Sequence, residues 1–236
     1  MAKNTPDLKA IIIFGPPGSG KGTQAELLAE KTDFYHYETS KILDRNLANV
    51  KNGDFVEIGN KKISLFGQKK AREKGELMDP ALIVFWEKEE IKRLARRGKH
   101  IILSGSPRTL YQAREEMPLF KKVYGAKDIS VIFLSLGAKA SIWRNSHRRS
   151  CNFFRHTIIF NSETAKLKHC PLDGSKLVAR KDDNVEVIKL RLKEYHNRTL
   201  PVIDYFKRQG IKVYRVDGEK TVPEVFEEIL QVLNLD

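Results

Sequence analysis

The chain has 236 residues, 41% hydrophobic and 31% charged, which is enough apolar content for one packed core with small insertions and excludes wholesale disorder. No apolar run approaches the ~20 residues that span a bilayer. The opening Met1–Pro6 runs into an apolar strand without a leader-like segment, and two cysteines, Cys151 and Cys170, make no disulfide framework, so a cytoplasmic protein with reduced thiols is expected.

The 43 Lys+Arg and 30 Asp+Glu leave a formal charge of +13. Residues 41–75 hold nine basic against four acidic side chains, net +5, and residues 144–181 hold nine against two, net +7. Two basic segments on a nearly neutral remainder suit a phosphate-rich ligand gripped from two sides; a solvated basic face is the plainer alternative.

In chain order, Lys9–Phe14 reads as a buried strand ended by glycine and proline, and Gly20–Lys31 as a helix. A strand over Phe34–Tyr37 and a helix from Thr39 to Lys51 follow. Phe55–Ile58 and Lys62–Phe66 flank Gly59-Asn60 as a small hairpin. Pro80–Arg97 has helical spacing, His100–Leu103 is a strand, and Thr109–Val123 is a helix broken near Pro118. Ile129–Leu136 is a strand and Lys139–Arg149 a helix. Arg149–Lys181 reads as short strands and turns, Asn184–Gln209 as a long helix bent at Pro201, Ile211–Val216 as the last strand, and Val222–Leu233 as the last helix. Alternating strands and helices predict an α/β fold, a five-stranded parallel sheet flanked by helices, with ligands beyond the carboxyl ends of the strands. The two basic segments fall outside that core and read as inserted lobes.

Between the first strand and first helix stands Gly15-Pro16-Pro17-Gly18-Ser19-Gly20-Lys21-Gly22-Thr23, a G-x-x-x-x-G-K loop with Gly22 where Ser or Thr is common. Glycines let backbone N–H groups turn inward around phosphate oxygens, and a lysine adds a mobile positive charge. The strand-before, helix-after context makes a chance glycine-rich turn a poor alternative.

This loop, continued by Gln24, resembles that of adenylate kinases and related nucleoside monophosphate kinases. The similarity continues in register through Gly75-Glu76-Leu77-Met78, Gly105 with Pro107-Arg108-Thr109 and Gln112, Trp143 to Arg149, Arg180 to Asn184 with Arg191, and Val216-Asp217-Gly218 with Lys220. The resemblance implies a P-loop NTPase-like fold and the reaction Mg·ATP + AMP ⇌ 2 ADP, with Mg2+ carried on ATP. It implies a core of residues 1–38, 77–149 and 182–236, an AMP-binding lobe of residues 39–76 and a lid of residues 150–181. It further implies a monomer that engages neither nucleic acid nor membrane. Gly18, Ser19, Gly20, Lys21, Gly22, Thr23, Arg144, Arg148 and Lys220 would bind ATP. Arg108 would hold the AMP phosphate, and Arg144, Arg180 and Arg191 would surround the transferring group. Thr39, Leu77, Met78, Gly105 and Gln112 would line the AMP site, where Gln112 would offer donor and acceptor to the adenine edge. Plainer roles are a helix cap for Thr39 and a solvated amide for Gln112.

The sequence departs from the family pattern at informative points. Ser104 and Ser106 stand where the family has Asp and Phe. The family's AMP-phosphate arginine falls on Asp44, with Arg45 next to it. Arg45 is therefore expected to reach the AMP phosphate, and Asp44 to face solvent or a neighbouring cation such as Lys41. The Phe55–Phe66 hairpin lengthens the lobe. In the lid, Cys151 is followed by Phe154 where a second cysteine stands in many relatives, and Cys170-Pro171-Leu172-Asp173 supplies the other pair. His156 completes a candidate zinc set with Cys151, Cys170 and Asp173; His147 and His169 are further candidates, and a lid packed around Phe153, Phe154 and Ile158 is the alternative. A kinase for UMP or CMP and a nucleotide-binding regulator with weak catalysis remain open at this level.

Overall fold

The computed structural model describes residues 8–73, 78–153, 156–179 and 183–235. The first half runs β1 (Ala10–Phe14), α1 (Lys21–Thr32), β2 (Tyr35–Glu38), α2 (Thr39–Leu47), β3 (Phe55–Ile58), β4 (Lys61–Ser64), α3 (Leu65–Glu73), α4 (Pro80–Arg96), β5 (Ile101–Ser104) and α5 (Leu110–Tyr124). The second half runs β6 (Ile129–Ser135), α6 (Ala138–His147), β7 (Arg149–Cys151), β8 (Thr157–Ile158), β9 (Leu177–Val178), α7 (Val185–Glu194), α8 (Pro201–Arg208), β10 (Lys212–Asp217) and α9 (Val222–Leu233).

The order β10-β6-β1-β5-β2 makes a five-stranded sheet with every neighbouring pair parallel, as expected. β1 is buried on both faces, which explains its unbroken apolar run. Ala10, Ile12 and Phe14 pack with Ile91 of α4, Phe120 of α5 and Phe206 of α8. Ile11 and Ile13 face the other way, toward Leu28 of α1 and Ile229 of α9. Burying each such side chain stabilises the fold by ~1.5–3 kcal/mol, so the middle strand is the best-anchored part of the molecule. Its partners set the site: Ile13 pairs with Ser104, and Ser104 pairs with Glu38, so the segments after β1, β5 and β2 open side by side. No helix among the described residues is long and apolar enough to cross a membrane.

Several elements differ from the sequence expectation for identifiable reasons. α2 stops at Leu47, not Lys51. α3 is absent from the sequence reading because none of its side chains is buried, leaving no apolar stripe to detect. β4 accordingly ends at Ser64, while the hairpin turn falls on Gly59-Asn60, with Ile58 opposite Lys61 and Gly59 at φ 58°. α5 runs unbroken through Pro118, held by buried Ala113, Met117 and Phe120. The long C-terminal helix is interrupted just before Pro201: Tyr195–Thr199 is a π turn in which Leu200 N–H donates to the Tyr195 carbonyl at 2.8 Å, and α8 starts at Pro201. Arg149 leaves α6 and starts the small sheet β8-β7-β9.

Candidate active site

The loop between β1 and α1 is built from backbone that tolerates no side chains at its tightest points. Gly18 sits at φ 78°, and a Cβ there would lie 2.5 Å from Asn145 Nδ2. Asn145 is fully buried and is held by its own helix through Ser141 O at 2.7 Å, while the Ser141 hydroxyl donates to Pro17 O at 2.6 Å. α6 thus buttresses the loop. Ser19 Oγ is buried with no hydrogen-bond partner among the described residues. Lys21 curls back and donates to the carbonyls of Gly15 at 2.9 Å and Pro16 at 2.8 Å. Gly22 and Thr23 lie in the first turn of α1, where no atom comes within 4 Å of a Gly22 Cβ.

Positive charge converges on this loop. Burial pushes Lys21 down to about 7, and Arg108, Arg191 and Arg148 push in the same direction. Arg148 is clamped by Asp183 through Nε at 2.9 Å and Nη2 at 2.5 Å, with Arg191 Nη1 3.9 Å from the same carboxylate. Arg108 keeps an exposed side chain, yet the protein packed around it strips part of its hydration. That desolvation lowers its pKa first, followed by Arg191. Its Nε donates to Gly105 O at 2.6 Å, its N–H donates to Gln112 Oε1 at 2.7 Å, and its carbonyl accepts the Thr199 hydroxyl at 2.8 Å. The π turn therefore positions Thr199 under the arginine.

Arg144 points elsewhere. Its guanidinium donates to Gly218 O at 2.6 Å and Glu219 O at 3.1 Å, which places it against the loop after β10. α6 ends at His147, short of the Arg149 expected from sequence, so Arg148 lies beyond the helix and does not share a helical face with Arg144. Lys220 lies in the same loop after β10, its Nζ 2.7 Å from Glu228 Oε2. Arg180 and Leu77, with Gly75, Glu76 and Phe154, lie outside the described residues.

On the opposite side, Thr39 opens α2, and a Cβ on Gly105 would lie 3.6 Å from Arg108 Nη2 and 4.0 Å from Thr39 Oγ1, so these three line one cradle. The Thr39 hydroxyl donates to Glu87 Oε1 at 2.7 Å. Glu87 also accepts the Ser106 hydroxyl at 2.9 Å. Glu87 and Glu116 are each only 1% exposed. Burial, then the Glu87 charge, raises the Glu116 pKa well above the carboxylate range. Gln112 is buried beside Arg108, whereas Met78 packs into the lobe's own core with Leu43, Leu47, Ile63 and Leu82.

Arg45 requires a correction. It pairs with Glu90 of α4 at 3.0 Å and lines a cavity of 180 Å³ with Tyr35, His36 and Glu38. Asp44 pairs with Arg72 of α3, and Lys41 instead lies 3.4 Å from Glu38. A residue step of ~100° around α2 separates the two faces. The Ser104 hydroxyl meets His36 Nε2 at 2.8 Å, and burial holds His36 near 4, hence neutral.

In the lid, Cys151, His156, Cys170 and Asp173 place one donor atom each within 4.8 Å of one another. The His156 Nδ1 lies 3.6 Å from both sulfurs and 3.3 Å from Asp173 Oδ2. Tetrahedral edges around zinc with such ligands are ~3.3–3.8 Å, so the donor set fits the metal. Cys151 Sγ lies closer to its neighbour, 3.0 Å from Asp173 Oδ2. Phe153 is 77% exposed and Phe154 lies outside the described residues; among the described residues the lid core is Cys151, Ile158, Cys170 and Leu177 with Leu167.

Sequence reasoning missed Glu87, Glu116, Ser141, Arg72 and Thr199. Each acts through a partner distant in the chain, and charged residues on helices read as solvated faces.

A family model described as adenylate kinase matches residues 13–211. The chain is 35% identical over 226 residues to an adenylate kinase of Chloroherpeton thalassium, covering 94% of this chain and 97% of that protein. It is likewise 35% identical over 223 residues to one of Methanosarcina barkeri (94% and 97%) and over 231 residues to one of Elusimicrobium minutum (95% and 98%). With a phosphate loop at the end of β1, an arginine cluster around it and this match along nearly the whole length, the chain belongs to the adenylate kinase family.

Proposed function

We propose that the protein transfers the γ-phosphoryl group of Mg·ATP to AMP, giving two ADP. The observation that carries this reading is the convergence of Lys21, Arg108, Arg148 and Arg191 on the phosphate loop, where burial first and the three arginines after it lower the lysine's pKa to about 7. So much like charge in one place suits a polyanionic ligand. Phosphoryl transfer needs in-line positioning and neutralised oxygen charge, with little covalent help. Lys21 leaves the Gly15 and Pro16 carbonyls for the ATP phosphates, Arg148 joins it, and the inward N–H groups of Gly18 to Thr23 cradle the chain. Arg108 holds the AMP phosphate and Arg191, with Arg180, the group in flight. Arg144 and Lys220 line the nucleoside side of the ATP site. Thr39, Gly105 and Gln112, with Leu77 and Met78, form the AMP side.

Mg2+ arrives with ATP as part of the substrate. Ser104, tied to neutral His36, offers it no carboxylate. Residues 39–76 act as the AMP-binding lobe and residues 150–181 as a lid that excludes water, on a core of the remaining residues. Zinc held by Cys151, His156, Cys170 and Asp173 would tie β7 to the turn after Cys170 and stiffen that lid; its role there is structural.

A coupled assay of ADP formation with AMP, CMP, UMP and GMP tests the reading. AMP should be the preferred acceptor; a preference for a pyrimidine monophosphate would move the protein to another branch of the same chemistry.

A further inference from the structure

We infer that Arg72, presented by Asp44, is the cation that the monophosphate lobe contributes to the AMP phosphate. The inference rests on the kinase reading above and deepens it. The position where relatives carry the lobe's arginine is Asp44 here, and Arg45 faces Glu90 on α4. The face of α2 that carries Asp44 also carries Ser40, one turn earlier. Arg72 reaches both. Its Nε and Nη2 donate to Asp44 Oδ1 at 3.1 and 2.7 Å, and Nη2 also donates to Ser40 O at 3.2 Å. Among the described residues Nη1 makes no hydrogen bond, which leaves part of the fork open.

Three features separate this arrangement from an ordinary surface ion pair. First, the guanidinium is fixed at three contacts and sits beside Ser40, the residue after Thr39, whose hydroxyl lines the cradle with Arg108. Second, Arg72 lies close enough to Arg108 for its charge to add to the lowering of that residue's pKa. Third, the first turn of a helix is its positive end, where a second positive charge is unfavourable unless an anion joins it. Asp44 is a turn away from that end. A phosphate dianion at the Arg108 tip would neutralise both guanidinium groups. In this arrangement the position that usually carries the cation carries its counter-ion, and α3 supplies the cation. Asp44 is then a positioning residue, not a repulsive intruder.

Steady-state kinetics with AMP and ATP varied separately tests this, with wild-type turnover as the control for the kinase reading itself. Arg72→Ala should raise the AMP KM at least tenfold while the ATP KM and kcat at saturating AMP stay within about threefold. Arg72→Lys should fall between. Asp44→Ala should raise the AMP KM less than Arg72→Ala, and Asp44→Glu should rescue most of that. The exchange Asp44→Arg with Arg72→Asp should restore AMP affinity beyond either single variant. Thermal melting identifies any variant that fails to fold; Arg72→Lys and the exchange keep the test alive in that case. An active wild type whose AMP KM is unmoved in a folded Arg72→Ala or Arg72→Lys overturns the inference, as does an effect confined to kcat. A wild type that forms no ADP overturns the kinase reading instead.

Discussion

The Thr39 hydroxyl donates its proton to Glu87 Oε1 at 2.7 Å, and this bond fixes Thr39 as an acceptor toward anything in the AMP cradle. An exocyclic amino group meets that acceptor well, and a carbonyl oxygen does not. Glu87 is held in turn by Ser106 and by the raised pKa of Glu116 nearby. Glu87→Gln supplies donors of its own and lets the Thr39 hydroxyl turn. The preference for AMP over GMP, as a ratio of kcat/KM values, should then fall about tenfold, ~1.4 kcal/mol. An unchanged ratio in a folded variant would show that Glu87 does not orient Thr39 for the base.

Lys21 gives ATP binding a pH dependence with a definite sign. In the free protein its pKa is pushed down to about 7 by burial and by the three arginines, and bound phosphates favour the charged form. Below pH 7 the lysine is already charged and affinity is flat. Above it, binding has to capture a proton, so affinity falls by up to ~10-fold per pH unit. Calorimetry at pH 8 in two buffers of different ionisation enthalpy should report proton uptake approaching one per ATP. Lys21→Arg should abolish the uptake, and Lys21→Ala should lower turnover ~10²–10³-fold or more. Proton release, or uptake that survives Lys21→Arg, would contradict the assignment.

The lid cluster predicts a metal. Protein purified without chelator should hold about one zinc per chain. Stripping it should lower Tm by ~5–10 °C, the size expected when a chain of this length loses ~2–3 kcal/mol. Cys170→Ser should mimic the stripped protein and respond little to added zinc. Metal-free protein with an unchanged Tm would mean that Cys151, His156, Cys170 and Asp173 hold the lid by their own hydrogen bonds.

Gly18 faces the Asn145 amide so closely that a methyl group does not fit, its Cβ falling 2.5 Å away. Gly18→Ala should raise the ATP KM by ~10-fold or more, since a left-handed alanine alone costs ~1–2 kcal/mol and the clash adds to it. Adding Asn145→Ala should recover the steric part and leave the backbone part. An ATP KM unaffected by Gly18→Ala would show that the loop is not shaped by α6.

The sequence is most legible where local chemistry decides structure. β1 and α1 are bounded by glycine and proline, and α9 matches Val222–Leu233 because Thr221 and Glu224 form a reciprocal capping box. The phosphate loop and Arg108 were readable for the same reason: their spacing is local. The AMP lobe was not. α3 has no buried stripe, so its Arg72 was invisible as a partner of Asp44. Whether Asp44 or Arg45 faced the cradle depended on what packs each side of α2, and that is settled by α3 and α4. Glu87 and Glu116 each sit among other charged residues, Lys88, Glu89 and Glu90 or Arg114 and Glu115, and a charge run on a helix looks solvated until the fold closes over one side of it.

The central claim is phosphoryl transfer between two nucleotides in one enclosed cationic site. 31P NMR of ATP, AMP and Mg2+ with the wild-type protein tests it most directly. The account predicts that AMP and ATP signals fall together while ADP rises to an equilibrium constant on the order of unity, without inorganic phosphate, and that Lys21→Ala slows this change at least ~10²-fold. ATP lost to ADP and inorganic phosphate with AMP untouched, or turnover near the wild-type rate in Lys21→Ala, would contradict it.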